Sequence, residues 1–186
     1  INGADRVSIN TAAINNKKFI KESVKIFGSS TITITIEALK IEGKYKVYTD
    51  TGRTDTNIDV FEWIKEAHDM GIGEIILTSI NNEGIGKGFE LNLYEKASKL
   101  CNISLLAHGG ARNLDDVYRL FINSDVDGAV IASAFHFNYY KELLKRKEIS
   151  LQGSTNFLID KDYKKMFFFE ISELKKYLKS KNINIR

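Results

Sequence analysis

The chain has 186 residues, a formal net charge of +3 and 43% hydrophobic residues, which is the composition of a globular domain. Its 27 lysines and arginines are interspersed with 24 acidic residues, which argues against a dedicated nucleic-acid binder. A single cysteine, Cys101, excludes an internal disulfide framework and a cysteine-rich zinc site, and we assign it no role. No apolar run is long enough to span a membrane and the first residues do not form a signal peptide, so we expect a cytoplasmic protein.

Short apolar, β-branched runs alternate with helical patterns along the chain, which predicts βα units and a parallel sheet. Strands are predicted at residues 7–10, 31–38, 74–80, 103–107 and 128–132. One helix is predicted at residues 14–26, with Phe19, Val24 and Ile26 facing inward. Further helices are predicted after an N-cap at Asp59, with Glu62 in a capping box, at residues 93–100, and after an N-cap at Asn113.

Two segments interrupt or extend this alternation. Residues 40–56 predict a β-hairpin inserted after the second strand. Residues 141–168 are predicted to be an insertion before the final helix, and they include most of an apolar run, Met166 to Phe169.

An internal repeat points to the architecture. Residues 5–12 (DRVSINTA) match residues 127–134 (DGAVIASA) at an offset of 122 residues, about half the length of a (β/α)8 barrel. We therefore predict a single α/β domain over residues 1–186, of (β/α)8 TIM-barrel type, that contains strands 4–8 only. Such an incomplete barrel would expose unpaired strand edges, and we expect it to dimerise, aggregate or bind a partner.

Active sites of such barrels lie where strands end and the following loops begin. Glycine-containing loops follow two predicted strands, and Ser133 adds a hydroxyl at the end of the next. The second glycine loop precedes the helix capped by Asn113, whose dipole favours an anion. If the three loops converge they predict a phosphate site, although the glycines of any one loop could simply make turns. The candidate residues for this site are Thr78, Gly84, His108, Gly109, Gly110, Ala132 and Ser133. Asn10 and Thr11, at the equivalent end of the first strand, predict a second phosphate site.

Other polar residues have two interpretations each. Glu37 ends its strand and is either an acid–base catalyst or a rim carboxylate paired with Lys40. His108 is an acid, a base, a phosphate donor or a structural hydrogen-bonding group. No histidine pair has zinc spacing, so we expect no metal and no cofactor. A network that stabilises the opposite face of the barrel is predicted for three residues at strand starts, namely Asp5, Arg6 and Glu74.

The segments around these residues resemble the cyclase subunit of imidazole glycerol phosphate synthase, in the order that is usual for that family. The similar segments are residues 3–13 (GADRVSINTAA), 73–80 (GEIILTSI), 109–111 (GGA), 132–137 (ASAFHF) and the end of the chain, 174–186. The resemblance covers nearly the whole chain apart from residues 141–168.

The resemblance implies a barrel of two similar halves that acts in histidine biosynthesis as a carbon–nitrogen lyase. Its substrates would be ammonia and an open-chain bis-phosphorylated ribulosyl-formimino-aminoimidazole-carboxamide nucleotide, and its products imidazole glycerol phosphate and aminoimidazole carboxamide ribotide. Ammonia would come from a glutaminase subunit docked at the strand-start face. By resemblance, Glu37 is one of two catalytic carboxylates, the glycine loops with Ser133 form one phosphate site, and Asn10 and Thr11 form part of the other. Asp5, Arg6 and Glu74 match the gate that faces the glutaminase.

The sequence also departs from the family. Glu37 stands in place of an aspartate, Asn81 and Glu83 replace two further aspartates, and His108 stands where the family usually has serine. The other catalytic carboxylate lies on a first strand that this sequence does not contain, so we expect the 186-residue chain alone to be inactive.

Two alternatives stay open. One is a relative in surface-polysaccharide synthesis that works with a glutaminase to supply ammonia to a sugar amidotransferase. The other is a non-catalytic phosphate-binding or scaffold half-barrel.

Overall fold

The computed structural model describes residues 3–100, 102–146 and 168–185, which form a seven-stranded sheet with helices packed against it. The strands are β1 (Val7–Ile9), β2 (Ile32–Ile41), β3 (Lys44–Thr49), β4 (Thr54–Asp59), β5 (Glu74–Ser79), β6 (Ser104–His108) and β7 (Gly128–Val130). The helices are α1 (Thr11–Asn15), α2 (Lys17–Phe27), α3 (Val60–Asp69), α4 (Leu91–Ser98), α5 (Leu114–Asn123), α6 (Ser133–Arg146) and α7 (Ile171–Ser180). Ser29–Thr31 forms a short 3-10 turn before β2.

Five strands run parallel in the order β1-β2-β5-β6-β7, and helices separate each of them from the next along the chain. Within the described residues β1 and β7 do not pair with each other, so the sheet does not close. This arrangement confirms the predicted α/β class with an incomplete parallel barrel.

The two faces of the sheet differ in polarity. Along β2, Ile32, Ile34 and Ile36 are buried on the helix-covered face, because successive strand residues point to opposite faces. The other face, which we call the polar face, carries residues that neighbouring strands place side by side. Its polar members are Ser8, Thr33, Thr35, Glu37, Glu74, Thr78, Ser104 and His108.

Residues between β2 and α3 form two further strands. β2 continues to Ile41, turns at Glu42-Gly43 and pairs antiparallel with β3, which in turn pairs antiparallel with β4. β3 uses the same edge of β2 that β1 occupies nearer the start of that strand. The turn at residues 50–53, between β3 and β4, therefore lies at the strand-end side of the sheet.

The prediction of one helix over residues 14–26 is wrong. The chain forms α1 and α2, separated at Asn16, whose side chain accepts a hydrogen bond from the backbone N–H of Phe19 and so caps α2. This cap sets the helix phase anew, so that Ile20 becomes the fully buried residue. Of the residues expected to face inward, Val24 packs against the core, whereas Phe19 and Ile26 are 44% and 71% exposed.

The two helix N-caps that the sequence predicts are present in the structure. Asp59 accepts hydrogen bonds from the N–H groups of Phe61 and Glu62, and Asn113 forms a reciprocal capping box with Asp116. Residues 141–146 continue α6, while the rest of the predicted insertion up to residue 167, with Met166, lies outside the described residues, as does Cys101. Among the helices that the structure describes, none has the length and apolar character needed to cross a bilayer.

Candidate functional site

The loops that follow β5, β6 and β7 enclose a cavity of about 450 Å³. Its walls come from residues 83–87, 108–112 and 130–134, with Phe137 from α6. The structure thus brings together most of the residues predicted for the first phosphate site. Those that line the cavity are Gly84, His108, Gly109, Gly110, Ala132 and Ser133.

The Gly109-Gly110 pair lets two of these loops touch. Gly109 and Gly110 have φ angles of +96° and +109°, which favour glycine. A Cβ on Gly110 would lie 2.1 Å from the carbonyl oxygen of Gly88. The two loops are joined there by a hydrogen bond of 2.7 Å from the N–H of Gly88 to the carbonyl oxygen of Gly110. Asn82 donates through its side-chain amide to the carbonyl oxygen of Gly88 at 2.7 Å. Backbone of both loops therefore forms part of the cavity wall.

The helix whose first residues line the cavity is α6, not α5. The start of α5 is capped by its own side chains, because Asn113 accepts a hydrogen bond from the N–H of Asp116 and Asp116 accepts one from the N–H of Asn113. By contrast, α6 begins at Ser133 on the cavity wall, and Ala132 before it has no side-chain oxygen to cap the helix. The first N–H groups of a helix carry partial positive charge and bind anions. The expectation that the helix after Gly109-Gly110 supplies this dipole stays a prediction, and the start of α6 is a further source of positive potential at the cavity.

Charged side chains on the wall favour an anion overall. Lys87 and Arg112 contribute two cations, and Glu83 contributes one carboxylate. Together with the start of α6, they give the cavity a net positive character suited to a phosphate group.

A row of side chains on the polar face leads from Glu37 to this cavity. The strand register pairs Glu37 with Thr78, Thr78 with His108, and His108 with Val130. Thr78, which does not line the cavity, is buried and has its hydroxyl 3.0 Å from Nδ1 of His108. Neighbouring strands are about 4.8 Å apart, so Glu37 and His108 lie roughly 10 Å apart across the sheet.

Glu37 is half-buried, and its carboxylate accepts a hydrogen bond of 3.0 Å from the backbone N–H of Gly52 in the turn between β3 and β4. Lys40 does not pair with Glu37. Its ammonium group donates to the carboxylate of Glu90 at 3.1 Å, and Tyr45 donates to the same oxygen at 2.8 Å. These bonds raise the pKa of Lys40. The interpretation of Glu37 as a rim carboxylate paired with Lys40 is therefore wrong.

Asn10 and Thr11 lie at the end of β1, away from the residues that line the cavity. The hydroxyl of Thr11 accepts a hydrogen bond of 3.3 Å from the backbone N–H of Asp50, in the same turn that contacts Glu37. The side-chain oxygen of Asn10 is buried and has no hydrogen-bond partner among the described residues. A buried acceptor in that state is a candidate to receive a hydrogen bond from a ligand.

At the opposite end of the strands, Arg6 and Glu74 form an ion pair with a separation of 2.5 Å. Glu74 is largely buried and also accepts a hydrogen bond of 3.1 Å from the hydroxyl of Thr33. Asp5 is exposed and precedes Arg6 in the chain. Two of the three predicted gate residues are therefore in direct contact.

Sequence reasoning missed several residues of the site. Lys87 and Arg112 belong to the loops that line the cavity. Lys87 lies between two glycines and Arg112 closely follows Gly109-Gly110, and these positions were a signal that could have identified both cations. Tyr94 had no such signal. It is fully buried on α4, and its hydroxyl donates to the carbonyl oxygen of His108 at 2.5 Å. Burial raises the pKa of Tyr94.

Within residues 3–100, 102–146 and 168–185, no three histidine, cysteine or acidic side chains are grouped as a metal site would require. The fold and the site define an α/β protein of incomplete barrel type, with a cavity and a carboxylate at the ends of its parallel strands.

Comparison with known proteins makes the class specific. The chain belongs to the histidine biosynthesis protein family, whose match covers residues 1–141. It is 43% identical over 136 residues to imidazole glycerol phosphate synthase subunit HisF of Bacillus cereus (strain G9842), with 73% of this chain and 54% of the relative aligned. It is 36% identical over 157 residues to the subunit of the same name from Chlorobaculum parvum (strain DSM 263 / NCIMB 8327), with 82% and 62% aligned. The predicted resemblance is confirmed, and the chain spans between half and two thirds of these relatives' length.

Proposed function

We propose that this chain is part of the cyclase subunit of an imidazole glycerol phosphate synthase, and that it carries one phosphate site, part of a second one and one acid–base carboxylate. The observation that supports this is the row from Glu37 through Thr78 to His108, which ends at the cavity between the three loops. A carboxylate roughly 10 Å from an anion site suits a phosphorylated substrate whose reacting atoms lie several bonds from the phosphate.

The substrate is a bis-phosphorylated ribulosyl-formimino-aminoimidazole-carboxamide nucleotide, and ammonia is its co-substrate. One phosphate lies in the cavity against the start of α6, with Lys87 as a cationic partner. The other phosphate lies near Asn10 and Thr11, where a buried amide oxygen and a hydroxyl are available. Glu37 moves a proton during ring closure and cleavage as a general acid or base. The reaction takes place in the cytoplasm.

A glutaminase subunit supplies the ammonia from the strand-start side of the sheet. Arg6, Glu74 and Thr33 form a polar cluster there, on the same face as Glu37 but at the other end of the strands. Asp5, the residue before Arg6, is exposed and available to a docked subunit. Ammonia would pass along the polar face to reach the substrate.

Binding and turnover test this proposal separately. The 186-residue chain should bind a bis-phosphorylated substrate analogue in calorimetry, yet show no ammonia-dependent turnover, because its relatives are longer and the second carboxylate is not in this sequence. Lys87→Ala should weaken binding about tenfold. Lys179→Ala on α7, also a lysine but far from the cavity, is the matched control and should bind like the unaltered chain. No binding by the unaltered chain would overturn the phosphate site.

Glu37 is tested in the complete reading frame, where turnover is measurable. Glu37→Gln should abolish turnover while the analogue still binds, because the amide keeps the shape and loses the proton-transfer group. Glu22→Gln, an exposed position on α2, is the control. Turnover that survives Glu37→Gln would overturn the acid–base role.

A second candidate function is supported by the two departures that lie in the row itself, Glu37 and His108. A changed carboxylate and a changed residue at the cavity favour altered substrate chemistry, as in a cyclase-like barrel that delivers ammonia to a sugar amidotransferase. Growth of a histidine auxotroph restored by the complete reading frame would exclude this alternative. No rescue, together with intact analogue binding and a glutaminase pull-down, would favour it over the cyclase. A pull-down without binding would favour a scaffold.

A further inference from the structure

The imidazole of His108 is held in a fixed position at the boundary between the row and the cavity. Its Nδ1 lies 3.0 Å from the hydroxyl of Thr78, and its backbone carbonyl oxygen accepts the hydroxyl hydrogen of Tyr94. Thr78 is 3% exposed and Tyr94 is fully buried, so both partners are themselves fixed by packing. With Nδ1 occupied by Thr78, Nε2 is the ring nitrogen left for a ligand.

Three charged side chains share the cavity wall with this imidazole. From the loop after β5 come Glu83 and Lys87, and from the loop after β6 comes Arg112. Lysine and arginine side chains keep their positive charge across the neutral range. Their net effect with Glu83 is one positive charge on the wall.

Among the described residues, the direct neighbours of the imidazole on the sheet carry no charge. On β5 the neighbour is Thr78 and on β7 it is Val130, neither of which titrates. From α4 comes Tyr94, which stays neutral because burial raises its pKa. The nearest carboxylate along the row is Glu37, roughly 10 Å away and hydrogen-bonded to Gly52.

We propose that His108 makes anion binding in this cavity proton-linked, with Thr78 as its positioning residue. This inference rests on the proposed phosphate site. Histidine is the side chain whose charge ordinarily changes between pH 5 and 8. A doubly charged anion in the cavity interacts more strongly with imidazolium than with neutral imidazole, because a charged donor forms a stronger hydrogen bond. The anion therefore binds more tightly as the pH falls, and its binding takes up a proton. Serine, the residue that the family usually has at this position, lacks this property.

Calorimetric titration of the 186-residue chain with sulfate tests the inference, at constant ionic strength between pH 5.5 and 8. Sulfate keeps its double charge over this range, so any change in affinity belongs to the protein. We expect the dissociation constant to fall about tenfold from pH 8 to pH 5.5. His108→Asn should make the affinity nearly independent of pH. His68→Asn, on α3 and outside the cavity, should retain the full dependence.

Variants of Thr78 test its role as the positioning residue through the pH dependence of sulfate affinity, which a purely structural role would leave unchanged. Thr78→Val should reduce the gain in affinity at low pH, while Thr78→Ser, which keeps the hydroxyl, should retain it. Thermal melts verify that each variant is folded, and His108→Gln replaces His108→Asn if the latter is not.

The outcomes separate this inference from the proposed function. No sulfate binding at any pH would overturn the phosphate site and the inference with it. Equal affinity at pH 5.5 and pH 8 would overturn only the role of His108. A pH dependence that persists in both His108 variants would do the same.

Discussion

Replacing Gly110 by alanine should destabilise the protein because two loops approach each other too closely there for a side chain. The φ angle of Gly110 is +109°, and an added Cβ would lie 2.1 Å from the carbonyl oxygen and 2.8 Å from the carbonyl carbon of Gly88. A non-glycine residue in such backbone costs about 1–3 kcal/mol. Overpacking against fixed backbone adds about 1–3 kcal/mol. We expect the free energy of unfolding to fall by about 2–6 kcal/mol, the sum of these two costs.

Gly84, in the same cavity wall, is the matched control. Its φ angle is +71°, but nothing lies within 4 Å of an added Cβ. Gly84→Ala should therefore lose only the backbone contribution, about 1–2 kcal/mol. Urea unfolding followed by circular dichroism measures both changes, and sulfate affinity reports whether the loops have separated. Equal destabilisation by the two substitutions would refute the argument that contact with Gly88, in addition to backbone conformation, requires glycine at position 110.

Three further substitutions test contacts away from the loops. Arg6→Ala leaves the largely buried Glu74 without its ion-pair partner. Because Arg6 itself is more than half exposed, the free energy of unfolding should fall by only about 1 kcal/mol in chemical unfolding, and an unchanged value would count against the pair. Tyr94→Phe removes the hydrogen bond to His108 and should cost about 1 kcal/mol at neutral pH. Because burial raises the pKa of Tyr94, its neutral phenol contributes to stability below about pH 10, and this contribution is lost as the pH rises further. Tyr94→Phe should therefore reduce the loss of stability at high pH in pH-dependent melts. Asp59→Ala removes the cap of α3 and should cost about 1 kcal/mol, whereas Asp59→Asn, which keeps an acceptor, should retain most of the stability.

Local signals in the sequence were sufficient for much of the fold. β-branched runs such as that from Thr31 to Ala38 specify strands that are buried on one face at least, and polar residues such as Asp59 and Asn113 have the chemistry of helix caps. Glycines at successive strand ends indicated where loops would approach one another. Because parallel strands end at the same edge of a sheet, these loops were expected to meet, and the structure places them around one cavity.

Features that depend on contacts distant in sequence were not predictable in this way. The phase of α2 depends on whether Asn16 caps a new helix, and hydrophobic periodicity does not distinguish Ile20 from Phe19 or Ile26 once that break is present. Lys40 is three residues from Glu37, yet it pairs with Glu90, fifty residues on, because β2 extends beyond the expected strand and carries Lys40 to the start of α4. Proximity along the chain was a poor guide to charge pairing.

The turn between β3 and β4 has a consequence for ligand binding that follows from its two hydrogen bonds. Its backbone N–H groups are bonded to Thr11 and Glu37, which come from two different strand ends. A ligand that replaces one of these hydrogen bonds loosens the turn and so weakens the other bond. Ligand binding near Thr11 and release of Glu37 from Gly52 are therefore reciprocally linked. Asp50 and Thr51 have φ angles of 55° and 60°, so displacement of the turn also releases backbone strain and offsets part of the cost of the lost bonds.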